Sequence, residues 1–366
     1  MFIFLISLVA AGPLSPEESS LLRDTCGKRL AVTTNRAQRS MYTPEAKRVE
    51  APWTVALKYI QKWNPEISLD NQFNMSRVIC SGTLISSRHV LTAAHCFGQV
   101  IEPVCQINST LEVVHYSMNR RNLDRFLVVA PDVCLQDNCS SQFDPKGIKI
   151  NKVFFSSQYV LAQCFDRIYN PFQGDVAVIE LETEVPFTST VQPACLSDES
   201  IFPGTHFSMF GYGVALETPA GILRKHETVS KEECSGEDVK HENLICSSHP
   251  HGAGCGGDSG SSQIVFDANG TAFVSAVYVA GKSCAAIVDI RSLGIHVEAE
   301  DVSVILNAHS SWICEVSGVC TPHAKGSSSV QWLSLQARFP LLGEITKKEP
   351  VTFLTLEKLT GDDIYA

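Results

Sequence analysis

Cys255-Gly256-Gly257-Asp258-Ser259-Gly260 is the stretch that decides how this chain is read. A serine hydroxyl is a weak nucleophile until a neighbouring base takes its proton. It also needs backbone N–H groups close by to stabilise the oxyanion of a tetrahedral intermediate. Glycines on both sides of Ser259 let the backbone turn sharply and bring the N–H groups of Gly257 and Ser259 toward one point. By itself the segment still leaves the lesser alternative of a glycine-rich turn holding an incidental serine.

Two other segments supply what the serine needs. Leu91-Thr92-Ala93-Ala94-His95-Cys96 carries a histidine, the side chain that titrates near neutrality and can accept a proton and return it. A strand-like run, Cys80-Ser81-Gly82-Thr83-Leu84-Ile85-Ser86, precedes it and brings Cys80 within reach of Cys96. Gly174-Asp175-Val176-Ala177-Val178-Ile179-Glu180-Leu181 places a carboxylate at the head of an apolar strand, a position that more often serves only a turn. Set against the other imidazole nitrogen, Asp175 fixes the tautomer of His95 and stabilises its imidazolium.

The rest of the chain describes the setting. It has 366 residues and a net charge of -10, with no dense Lys/Arg run, which excludes a nucleic-acid surface. Residues 1–12 begin with an apolar stretch too short to span a bilayer, where about 20 apolar residues are needed. They read as a signal peptide cut near Ala10 to Gly12, with a buried N-terminal strand as the alternative. No later stretch reads as a membrane anchor. Fourteen cysteines and the sequons at Asn74, Asn108, Asn138 and Asn269 suit a secreted, extracellular glycoprotein. Residues 13–50 read as an extended lead-in or pro-segment, and 317–366 as a tail of unassigned role. Between them, in 51–316, short β-rich runs (77–85, 111–116, 126–129, 176–181, 272–279) are separated by Gly, Asn, Asp and Pro turns, the pattern of an all-β barrel or sandwich. Apolar residues at Val302, Ile305, Leu306 and Ile313 predict a closing helix over 302–313.

Pro52-Trp53-Thr54-Val55, the His95 segment, the Asp175 segment, Phe210-Gly211-Tyr212-Gly213 and the Ser259 segment follow one another as in the trypsin-like serine proteases, and over residues 26–315 the chain resembles that family. The long insertion between His95 and Asp175, with the unusual tail, is similar to a divergent nematode-type branch. The resemblance implies two six-stranded antiparallel Greek-key barrels with a C-terminal helix. It implies a catalytic set of His95, Asp175 and Ser259, with an oxyanion hole at Gly257 and Ser259. It also implies the disulfides Cys80–Cys96, Cys234–Cys246 and Cys255–Cys284, and a tether from Cys26 to Cys195 that keeps a propeptide attached. Cys105, Cys134, Cys139, Cys164, Cys314 and Cys320 remain, and six cysteines allow 15 connectivities; Cys314 with Cys320 is the preferred local pair. The expected family bridge just after the nucleophile is missing, since no cysteine stands near Val265.

The chain departs from the family at three places. Arg39-Ser40-Met41-Tyr42 stands where the activating cleavage normally exposes Ile-Val-Gly-Gly, whose new amino group pairs with the aspartate that is Asp258 here. Ser261-Ser262 replaces Gly-Pro. Tyr278-Val279-Ala280-Gly281 replaces Val-Ser-Trp-Gly on the strand that pairs with substrate. The specificity pocket is assigned to Ala253 at its floor, with Gly281 and Gly294 at its mouth. No carboxylate stands at 253, so apolar or small side chains are expected rather than Arg or Lys, because burying an unpartnered cation is costly; Asp289 is the countercharge under another alignment. His249-Pro250-His251 reads as a solvated pair rather than a metal site, for want of a third ligand. The expectation is therefore a cofactor-free, metal-free serine endopeptidase acting on protein or peptide, with an activating protease as a second partner. The rival is a weak or inactive homologue that acts by binding.

Overall fold

The computed structural model describes residues 12–29, 45–60, 76–98, 106–107, 113–115, 123–129, 147–164, 172–214, 220–235, 243–249, 252–281, 284, 287, 290, 293–295, 298–322 and 355–357. Two closed six-stranded antiparallel barrels form its body. The first contains β1 (Thr54–Ile60), β2 (Ser76–Leu84), β3 (His89–Thr92), β4 (Phe126–Val129), β5 (Ile148–Phe155) and β6 (Ala177–Leu181). Its strand order is 1-2-3-6-5-4, and β4 closes back on β1. The second contains β7 (His206–Gly211), β8 (Arg224–Ser230), β9 (Leu244–His249), β10 (Ser262–Phe266), β11 (Ala272–Gly281) and β12 (Ala299–Ile305). Its order, 7-8-9-12-11-10 with β10 returning to β7, repeats the connectivity of the first.

Closure pairs the strand edges and turns one face of each strand inward, so most of the buried apolar residues of the two barrels form one continuous core. Trp53 joins them. Its ring meets Phe210 of β7 edge-on at 6.3 Å and Phe266 of β10 at 6.2 Å.

Two expectations are corrected. The helix over 302–313 is a strand in its first part: Val302–Ile305 belong to β12 and pair with both β9 and β11. The helical segment begins only at Asn307, and the α-helix proper spans Ser310–Ser317. Val302, Ile305 and Leu306 are compatible with either period, and the two neighbouring strands decide in favour of the sheet. The lead-in is not extended throughout either. Pro16–Thr25 form a helix whose N-cap, Ser15, exchanges hydrogen bonds with Glu18 in a capping box, with Pro16 in the first turn.

That helix is docked on the body. Buried Arg88 forms ion pairs with Glu18 at 3.1 Å and Glu184 at 2.9 Å, and donates to the carbonyl oxygen of Gly12. Cys26 is bonded to Cys195, and Leu14 N–H donates to the Ser317 carbonyl at 2.8 Å.

Candidate active site

His95 lies in a short 3-10 turn, Ala94–Phe97, directly after β3. The disulfide between Cys80 on β2 and Cys96 fixes that turn. Asp175 enters just before β6, and its carboxylate is buried. Gly174 makes this entry possible: it has φ +66°, and a Cβ there would lie 2.5 Å from Gln158 Cβ. The carboxylate holds the histidine at two points. Oδ1 accepts the His95 backbone N–H at 2.9 Å, and Oδ2 lies 2.6 Å from Nδ1.

The serine loop comes from the second barrel. Ser259 carbonyl oxygen accepts Ser81 N–H at 2.8 Å, and Gly260 N–H donates to Tyr278 at 2.8 Å. Gly260, at φ +86°, lies so close to the histidine loop that a Cβ would sit 2.1 Å from Thr92 Oγ1 and 2.9 Å from Ala93 N. These contacts seat the loop that carries Ser259 against the segment that leads into the histidine turn. The peptide groups before it are also fixed. Gly256 carbonyl accepts Val214 N–H at 2.9 Å, Gly257 carbonyl accepts the Ser81 hydroxyl at 2.9 Å, and Asp258 carbonyl accepts Ser261 N–H at 2.9 Å. A trans peptide directs its N–H opposite its carbonyl, so the N–H groups of Gly257 and Ser259 face away from Val214 and Ser261.

Asp258 points inward and is buried. Its Oδ1 accepts Gly213 N–H at 2.9 Å and its Oδ2 accepts Cys255 N–H at 3.0 Å. Burial raises its pKa to about 7, against the opposing pull of those two N–H groups. His226 Nε2 lies 3.7 Å from Oδ2, beyond hydrogen-bond length. Burial lowers the pKa of His226 to about 3, so this contact is not an ion pair. Nothing in the sequence pointed to His226, because β8 reads as a charged, polar strand.

The remaining assigned residues are distributed as follows. Ala253 is buried in a small apolar cluster with Cys255, Ile287 and Ala299. Gly281 ends β11 and faces Tyr278 and Asp301. Gly294 stands in an exposed turn where a side chain would meet nothing within 4 Å. The disulfides Cys234–Cys246, Cys255–Cys284 and Cys314–Cys320 are formed. Asn269 is exposed on the turn between β10 and β11. Asn74, Asn108, Asn138, Asp289, Arg39, Ser40 and Met41, with Cys105, Cys134 and Cys139, lie outside the described residues.

The solvated reading of His249 is corrected. It is buried at the end of β9, and its Nε2 is bonded to Asp301 Oδ2 on β12, directly alongside in the barrel. Among the described residues one group brings three metal-type ligand atoms together, Cys80, His95 and Cys96, but its two sulfurs are bonded to each other.

The sequence profile of the Trypsin family matches residues 42–292. Among curated proteins, phenoloxidase-activating factor 1 of Holotrichia diomphalia is 26% identical over 247 residues, covering 64% of this chain and 60% of that protein. Phenoloxidase-activating enzyme 1 of Spodoptera litura is 28% identical over 217 residues, covering 56% and 52%. The match thus spans little more than half the length of these relatives. With a family match across more than half of its residues and both barrels in place, the chain belongs to the trypsin family.

Proposed function

We propose that this chain is a secreted serine endopeptidase that cleaves protein substrates through an acyl-enzyme on Ser259. The observation that carries the reading is the two-point hold of Asp175 on His95, with the Gly260 loop seated against the same histidine turn. Asp175 keeps the Nδ1–H tautomer, which puts the lone pair on Nε2, the atom that takes the Ser259 proton as Oγ attacks the scissile carbonyl. The Gly257 and Ser259 N–H groups receive the oxyanion. His95 then gives the proton to the leaving amine, and water repeats the cycle on the ester.

Secretion is supported by five disulfides among the described residues, which suit an oxidising compartment, and by the absence among those residues of any helix long and apolar enough to cross a membrane. The names of the relatives, which describe activation of phenoloxidase, favour a protein substrate here. A second reading, a homologue that binds without cutting, draws its support from Tyr278, which fills space where a substrate side chain would enter. A fluorophosphonate probe separates the two readings. It is expected to label the wild-type protein and not Ser259→Ala; absence of labelling before and after cleavage in residues 30–44 overturns the enzyme reading.

A further inference from the structure

Gly281, assigned to the mouth of the specificity pocket, and Gly254, next to its assigned floor Ala253, lie against one and the same side chain of the protein. Gly254 lies five residues before Ser259, and a Cβ there would fall 2.6 Å from Tyr278 Cζ and 2.8 Å from its hydroxyl oxygen. Across from it, a Cβ on Gly281 would fall 2.7 Å from the same hydroxyl and 3.0 Å from Asp301 Oδ1. The phenol is thus held between two glycines and is 3% exposed. Its backbone is held as firmly: Tyr278 N–H donates to the Ser261 carbonyl and its carbonyl accepts Gly260 N–H, each at 2.8 Å. The Cys255–Cys284 disulfide joins the two segments that carry these walls.

Behind the phenol stands a carboxylate. Asp301 is 1% exposed; Oδ2 is bonded to His249 Nε2, and Oδ1 accepts Gly254 N–H at 3.3 Å. Oδ1 is therefore the face turned toward the Tyr278 hydroxyl and Gly281. Among the described residues, other titratable groups near it are Asp258, which with Asp301 acts on the Tyr278 hydroxyl, and His226, whose ring lies edge-on to His249 at 5.6 Å.

We propose that Tyr278 is the specificity-determining residue of this site: it occupies the pocket from within, restricts the substrate residue before the scissile bond to glycine or alanine, and covers Asp301, the countercharge of a latent site for a cationic side chain. The position of the pocket rests on Ser259 being the nucleophile, but the test does not need catalysis. A glycine or alanine side chain requires no more room than the phenol leaves. A longer side chain has to displace this buried phenol, and an interior already filled does not yield to an extra group without strain. Removing the phenol leaves a hollow walled by Gly254 and Gly281 with Asp301 Oδ1 at its end, a fit for a flat amidinium or guanidinium that a carboxylate binds in charge-assisted bonds.

The experiment is titration with p-aminobenzamidine, followed by its fluorescence, on the full chain. Wild type is expected not to bind in the millimolar range, and Tyr278→Ala to bind at least 100-fold more tightly. Tyr278→Phe should remain closed, and Tyr278→Ala with Asp301→Asn should lose at least tenfold of the gained affinity. Tyr278→Val, which suits the strand, replaces Tyr278→Ala if the latter does not fold. Binding by wild type equal to that of the opened variant, or no gain in a folded variant, overturns the proposal. Dominant wild-type cleavage of a peptide library after any residue larger than alanine does so too. Failure of the Ser259 reading would show instead as lost probe labelling with the amidine results unchanged.

Discussion

Asp175 presents its two oxygens to His95 in different roles: Oδ1 accepts the backbone N–H at 2.9 Å while Oδ2 faces Nδ1 at 2.6 Å. The asymmetry makes Asp175→Asn informative. The amide must keep its oxygen toward the His95 N–H, so its NH2 is turned on Nδ1. Nδ1 then has to accept, the proton moves to Nε2, and the base is lost. The expected result is a fall in kcat of roughly 10^3–10^4 with little change in KM and an unchanged fold. Steady-state kinetics on a glycine- or alanine-ester substrate measures it, and an equal effect on KM would show that Asp175 acts in binding instead.

Gly260 and Gly256 flank the same serine and should respond oppositely to a methyl group. At Gly260 the added carbon meets Thr92 Oγ1 at 2.1 Å and Ser81 O at 2.3 Å, in a left-handed backbone. Gly260→Ala is expected to cost roughly 2–5 kcal/mol by overpacking and backbone strain. Gly256 has nothing within 4 Å and is exposed, so Gly256→Ala should stay within about 0.5 kcal/mol of wild type. Urea denaturation of both variants checks the pair; equal stabilities would mean that the two barrels part easily at this contact.

The difference between these two glycines was not legible in the sequence, whereas the segments that carry His95, Asp175 and Ser259 were. His95, Asp175 and Ser259 each sit in a local segment whose chemistry can be read within a few residues. Tyr278, Asp301 and His226 act through contacts made only when separate strands close into the second barrel. Tyr278 reaches Gly254 across 24 positions of chain, and only because neither Gly254 nor Gly281 has a side chain. In β8 the inward positions are Arg224, His226, Thr228 and Ser230, so the alternation that normally marks a buried face carries polar residues and its phase is hidden. The carboxylate near the pocket was sought at Asp289; the one bonded to Gly254 is Asp301, on a strand that the sequence presented as the start of a helix.

Cleavage in the segment between residues 30 and 44 should not release the lead-in. Cys26 is bonded to Cys195, and Arg88 holds Glu18 beside it. A protein cut after Arg39 is expected to run as one band on a non-reducing gel and as two after reduction. Two bands without reductant would show that Cys26 pairs differently in the protein as isolated. Replacing Ser40-Met41 with Ile-Val should raise the activity of the cut form, because an apolar terminus gains more from entering a buried pocket beside Asp258; no change would show that the new terminus does not act there.

Stability should fall with acid, and the sign follows from four buried groups. His89 and His226 have pKa values lowered to about 3, and His309 to about 4, burial being the main cause in each. Their ordinary value is 6.5, so below that pH the unfolded chain binds protons that the native fold refuses, and the stability they contribute is lost as pH falls. Asp258 acts the other way. Its pKa is raised from 3.8 to about 7, so between those values the native fold holds a proton that the unfolded chain has released. Between pH 6 and 5 these groups leave a net uptake on unfolding of about two protons, a slope of up to ~2.7 kcal/mol per pH unit. Urea titrations at pH 7, 6 and 5 with disulfides intact measure it. His226→Gln should make the slope shallower by about one proton. Asp258→Asn should make it steeper by about one, since the native fold then no longer takes up the opposing proton. A slope that is the same in both variants as in wild type would place the acid sensitivity outside this buried cluster.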